Sequence, residues 1–107
     1  MRDFMVLCYG GDLSRQERRV LSQKWRAWIL DLGRRGNLVW AGFLRPEGRK
    51  IESRGVATPD HPADAETVKG YFVVRAHTLE EAVELSMRCP HLEVDGSLEV
   101  REVSNFS

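Results

Sequence analysis

Asp60 and His61 stand side by side in a stretch with little other order, and they are the neighbours in this chain best suited to proton transfer. An imidazole titrates near neutral pH, and a carboxylate beside it can orient or receive its proton, which is what general acid–base chemistry requires. Adjacent residues often point apart, so such a pair needs support from elsewhere in the fold. His91, which follows Cys89-Pro90, is the candidate for that support. Its competing reading is an imidazole that meets the last carbonyls of the preceding helix. His77 precedes Thr78 and reads as a surface residue. Three histidines without paired spacing make no metal site. Cys8 and Cys89 show neither CxxC nor metal-ligand spacing, and Gly10-Gly11 is too short for a phosphate loop. The expected chemistry therefore uses no organic cofactor and no metal.

A site for a small organic molecule also needs apolar walls. Trp40, together with Tyr9, is the candidate wall, facing a cavity between subunits. Trp25 and Trp28 share helical spacing with Leu21, Ile29 and Leu32, so they read first as core. The arginines on the same helix read as a solvated face.

These residues must be placed by the elements around them. Residues 3–9 read as a strand that stops at Gly10-Gly11. Ser14 and Glu17 form a capping box that opens a helix, with Arg34 and Arg35 in its last turn and Gly36 as its stop. Residues 37–44 form a second strand, Pro46-Glu47-Gly48 a turn, and Lys50 to Ala57 a weaker strand returning as a hairpin. Residues 58–69, with two prolines and no periodicity, read as an exposed loop. Tyr71 to Arg75 is a strand, Thr78 and Glu81 cap a second helix that Pro90 ends, 91–96 is a loop, and 98–103 is the last strand. The tail from Ser104 is expected to fray. The order, β-α-β-β-loop-β-α-β, predicts an α+β domain of ferredoxin-like pattern, one domain spanning 1–107.

The first strand sets Phe4, Val6 and Cys8 on one face and Met5, Leu7 and Tyr9 on the other, all apolar. The second splits into Leu38, Trp40, Leu44 and Val39, Ala41, Phe43, and the strand at 71–75 is also apolar on both sides. A sheet with one wet face would alternate apolar and polar. Both helices pack on one face in this topology, so the other exposes a patch larger than monomers tolerate. A second copy is the simplest cover, which predicts a homodimer through the sheet face. The alternative cover is the 58–69 loop folding back.

Composition sets outer limits. Sixteen basic and sixteen acidic residues in 107 leave no net charge and no footprint for nucleic acid. The apolar run from Phe4 to Cys8 is too short for a signal core or a membrane span, so a cytoplasmic, reducing location is expected, with both cysteines free.

Several segments together resemble a known family. They are the Phe-Met-Val-Leu-Cys-Tyr-Gly strand, the tryptophan-rich helix ending Arg-Arg-Gly-Asn-Leu-Val, and Pro59-Asp60-His61-Pro62. The strongest lie between Gly70 and Arg101: Gly70-Tyr71-Phe72-Val73-Val74, Thr78-Leu79-Glu80-Glu81-Ala82, Arg88-Cys89-Pro90-His91 and Gly96 to Arg101. As an ordered set they resemble the YCII-related family in its DGPF-type branch. The resemblance implies ferredoxin-like subunits paired into a dimeric α/β barrel. That branch is sometimes found in the company of sigma factors. A better understood branch looks like small lyase-type enzymes with a His–Asp pair in a pocket, acting on halogenated aromatic diols or similar compounds. This chain departs from that pattern twice. Its first helix has no histidine, with Lys24 and Trp25 in that neighbourhood, and the DGPF signature reads Asp60-His61-Pro62-Ala63.

Two functions are therefore expected to compete. One is a cofactor-independent, lyase-like acid–base enzyme on a small aromatic or carbonyl compound, with Asp60, His61 and His91 as catalytic groups and Tyr9 and Trp40 as ligand-binding walls. The other is a non-catalytic module that binds a small ligand or a protein partner, with a link to transcription regulation.

Overall fold

In the computed structural model, which describes residues 1–11, 15–58 and 67–104, the chain builds one four-stranded antiparallel sheet with two helices and a small separate ribbon. The elements are β1 (Arg2–Gly10), α1 (Arg15–Arg34), β2 (Leu38–Phe43), β3 (Lys50–Glu52), β4 (Gly55–Thr58), β5 (Val68–Ala76), α2 (Leu79–Ser86), a 3-10 helix (Pro90–Val94) and β6 (Gly96–Glu102). The sheet order is β2-β5-β1-β6, with every neighbouring pair antiparallel. Taken in chain order, its strands form the ferredoxin-like βαββαβ arrangement, with the two long central strands β1 and β5 side by side.

One expected strand departs from this plan. Residues 50–57 do not return along β2. They fold on themselves as β3 and β4, and β5 takes the place beside β2. The cause is local: Ser53-Arg54 turns the chain and Gly55 takes φ +118°, a conformation that favours glycine. Lys50, Ile51 and Glu52 are all exposed, so this segment has no apolar face to hold against the sheet. β5 also begins earlier than expected, at Val68, and the expected 91–96 loop is mostly a 3-10 helix that starts at Pro90. Proline suits that first position because its missing N–H is one the helix would not use.

The helix ends follow their sequence signals. Gly36, at φ +75°, closes α1 in a Schellman motif, with Gly36 N–H donating to Gly33 O (3.1 Å) and Asn37 N–H to Leu32 O (3.0 Å). Asn37 then fastens the chain to β5 through Arg75 N–H to its carbonyl (2.7 Å) and its own amide to Arg75 O (2.8 Å). Thr78 caps α2 by accepting the Glu81 N–H at 3.1 Å. Ser14, the expected cap of α1, and the tail from Asn105 lie outside the described residues.

The core sits between the helices and one sheet face. Phe4, Val6, Cys8, Phe72 and Val74 from β1 and β5 meet Leu21, Trp25 and Leu32 from α1, with Ala82 and Cys89 behind them. Each fully buried large side chain contributes about 1.5–3 kcal/mol through removal from water. The opposite face carries Met5, Leu7, Tyr9, Tyr71 and Val73, all half-buried, and Trp40, 64% exposed. No described helix covers it. Strict alternation misassigned one residue here. The β2–β5 register slips between Leu38 and Trp40, so Leu38 (opposite Val74) joins Ala41 and Phe43 on the helix face, while Trp40 (opposite Val73) faces the other way.

Candidate functional site

β1 ends at Gly10, and a cavity of about 450 Å³ opens beside that end. Leu21, Trp25, Phe43, Leu44 and Val94 supply its apolar lining, while Arg18, Lys69 and His91 supply its ionisable groups. Among the described residues no Asp or Glu lines it. A second groove of about 280 Å³ shares Ser22, Trp25 and Phe43 with it.

His91 is the most constrained of these groups. The 3-10 helix delivers its side chain inward, and the residue is 8% exposed. Its Nε2 lies 2.7 Å from the carbonyl oxygen of Tyr9. A carbonyl only accepts, so Nε2 carries the hydrogen, and in the neutral ring Nδ1 is left as the basic lone pair. Two glycines make room for the ring. A Cβ on Gly96 would overlap the imidazole, and a Cβ on Gly11 would come within 2.9 Å of Cε1 and 3.5 Å of Nδ1. Gly11 also sits at φ +82°, where other residues are strained. Lys24 Nζ reaches Glu93 at 3.3 Å and ties α1 to the 3-10 helix, an exposed pair worth under about 1 kcal/mol.

Lys69 arrives by a different device. Cys8 pairs with Gly70 and Tyr9 with Val68, so Lys69 is the extra residue of a bulge in β5. Bulges re-aim a side chain, and this one brings Lys69 Nζ to 3.3 Å from Gly11 O. The carbonyls of Tyr9 and Gly11, two residues apart, thus hold His91 and Lys69 respectively. Phe43 lies over Gly70 and meets Trp25 edge-on at 5.1 Å, and Trp25 meets Trp28 edge-on at 5.5 Å. The Trp25 indole N–H is buried without a hydrogen-bond partner among the described residues.

Behind this wall Cys8 and Cys89 are both free and buried. The Cys89 thiol donates to the Cys8 sulfur. That bond, with burial, holds Cys89 protonated well above the ordinary thiol range, while the same bond favours the Cys8 thiolate and lowers Cys8.

The sequence candidates separate in space. His91 lines the cavity. Tyr9 gives it a backbone carbonyl, while its ring lies on the helix-free face by strand alternation. Trp40 is on that face too, its Nε1 donating to Tyr71 Oη at 3.0 Å. Asp60 and His61 lie outside the described residues. Sequence reasoning passed over Lys69, Arg18 and Gly11. In sequence Lys69 reads as a loop end and Arg18 as part of a solvated face, and the bulge that re-aims Lys69 depends on pairing between distant strands. Among the described residues no group of three or more His, Cys, Asp and Glu could hold a metal ion, and no helix is long and apolar enough to cross a membrane.

A family model described as the YCII-related domain matches residues 2–107. The chain belongs to the YCII-related domain family. None of the curated proteins matches this YCII-related domain by sequence. Among solved structures, it is similar to 5-chloro-2-hydroxyhydroquinone dehydrochlorinase (TftG) from Burkholderia phenoliruptrix AC1100, in complex with 2,5-dihydroxybenzoquinone. The TM-score is 0.62 at 11% identity, over 96% of this chain and 94% of that one. At that identity the likeness shows a shared fold.

Proposed function

We propose that this YCII-related domain is a cofactor-independent enzyme that moves a proton on a small aromatic or carbonyl compound bound in the cavity beside His91. The observation that carries the reading is the fixed imidazole: Nε2 committed to Tyr9 O, the ring set between Gly11 and Gly96, and His91 lining one cavity with Trp25 and Phe43, which leaves Nδ1 as the nitrogen available to act as base. A base oriented by a hydrogen bond from its other nitrogen is the arrangement general base catalysis uses. The fold shared with a dehydrochlorinase of a hydroxyhydroquinone supports the choice of compound class. On sequence grounds Asp60 and His61 stay in the proposal as further acid–base groups, and Tyr9 and Trp40 as ligand walls reached across a dimer.

The same proposal includes a homodimer, a dimeric α/β barrel in which Met5, Leu7, Trp40, Tyr71 and Val73 pack against a second copy. Its measurement is sedimentation at micromolar concentration, where a monomer would refute it. The free, buried thiols fit a reducing, cytoplasmic location.

One observation favours the binding-only alternative. Lys24 stands in the neighbourhood where the lyase-type branch carries its histidine, and it is engaged with Glu93. Activity separates the two readings. Turnover or solvent deuterium exchange on a panel of hydroxylated quinones and phenols should fall about 100-fold in His91→Gln, with the fold retained by circular dichroism. Activity unchanged in His91→Gln overturns the acid–base reading.

A further inference from the structure

We infer that the cavity beside His91 selects a planar organic anion, a ring bearing a carboxylate or an ionised hydroxyl, with Lys69 anchoring the charge and Arg18 at the rim. The inference rests on the reading of this cavity as a small-molecule site and adds the charge and orientation of what it takes.

Six other cations pair with acidic side chains, while Arg19, Arg26, Arg45, Arg54 and Arg88, which form no ion pair among the described residues, are exposed to water. Arg2 pairs with Glu102, Lys24 with Glu93, Arg35 with Asp31, Lys50 with Glu52, Arg75 with Asp3 and Arg101 with Glu99. Those pairs are solvent-exposed. Lys69 is half-buried, where a charge needs more compensation than at the surface, and among the described residues it meets a neutral carbonyl, at a long 3.3 Å. Neither it nor Arg18 pairs with a carboxylate among the described residues, and none of those lining the cavity is acidic. An anionic ligand would compensate the Lys69 charge through a charge-assisted hydrogen bond.

The shape of the lining sets the rest of the ligand. Trp25 and Phe43 meet edge-on at one wall, and Leu21, Leu44 and Val94 add apolar surface against which a flat ring can pack. Gly11 fixes the orientation, because its carbonyl holds the Lys69 ammonium while its Cα faces the His91 ring. A ring whose anionic end sits on Lys69 is therefore brought alongside His91.

The test compares anions with neutral isosteres by tryptophan fluorescence and NMR titration of the full chain. One arm pairs benzoate with benzamide, and the other pairs 4-nitrophenolate with 4-nitroanisole at a pH where the phenol is ionised. At least one anion should bind about tenfold more tightly than its neutral partner, and the arm that shows the preference identifies carboxylate or ring oxyanion as the recognised group. Lys69→Gln should remove about tenfold of that anion's affinity and leave the neutral compound unchanged, while Lys69→Arg should restore much of the preference. Equal binding of anion and isostere in both arms, no binding of either anion at millimolar concentration, or a preference that survives Lys69→Gln would overturn the inference. His91→Gln separates this from the acid–base reading. It reports on turnover, whereas the anion preference is read from Lys69→Gln, so either result can fail without the other.

Discussion

Two cavities of nearly equal size flank the ends of β1, about 450 Å³ at its C-terminal end and about 430 Å³ at its N-terminal end, and they handle charge in opposite ways. The N-terminal one is lined by Arg2, Asp3, Arg75 and Glu102, whose charges cancel within the site as Arg2–Glu102 (2.6 Å) and Arg75–Asp3 (3.2 Å). The C-terminal one is apolar, carries Arg18 and Lys69 without carboxylate partners among the described residues, and holds an oriented imidazole. Volume does not distinguish the two. The difference lies in which end leaves its polar groups with something still to bind.

Crowding the imidazole is the strongest way to break this contrast. Gly96→Ala places a methyl group in the His91 ring, so either the ring leaves its slot or the 3-10 helix shifts. The expected cost is about 1–3 kcal/mol by chemical denaturation, with loss of ligand binding at this end of β1. Unchanged stability and binding would show that His91 is loosely held.

A smaller effect comes from the thiol pair behind the cavity. Cys89 holds its proton in the folded chain above the ordinary thiol value near 9, whereas the unfolded chain releases it there. Above pH 9 the folded state therefore binds the extra proton, and stability should fall as pH rises. Cys8, lowered by the same bond, acts with the opposite sign at lower pH, where the folded state binds fewer protons than the unfolded one. Denaturation midpoints should decline above pH 9 in the wild type and less steeply in Cys89→Ala; parallel slopes would contradict the shared-proton description.

The smallest effect is expected at the other end. Arg75→Gln breaks an exposed ion pair and should cost under about 1 kcal/mol, with ligand binding at the His91 cavity unchanged. A binding defect there would mean the two ends are coupled.

Much of this fold could be read from residue pattern. Continuous apolar runs located β1 and β5, Thr78 and Glu81 located the start of α2, and Gly36 located the end of α1. The even and odd residues of β1 separated into the core face and the helix-free face as alternation requires. The failures were non-local. Residues 50–57 pair with themselves, with Lys50, Ile51 and Glu52 all exposed, and the bulge at Val39 reverses the side that Leu38 takes. The site was less legible. His91 could be named but not placed, since its partner is a backbone carbonyl 82 positions away. Lys69 and Arg18 gave no local signal, because a register slip between two strands brings Lys69 to the cavity.

The central claim is that His91 presents a basic Nδ1 to a ligand cavity while Nε2–H is held by Tyr9. The most direct measurement is the nitrogen-15 NMR of the His91 ring, free and titrated with a ligand of the cavity. The account predicts a protonated Nε2 and an unprotonated Nδ1 in the neutral ring, with the Nδ1 resonance moving as ligand is added. A proton on Nδ1, or a ring indifferent to ligand, would contradict it.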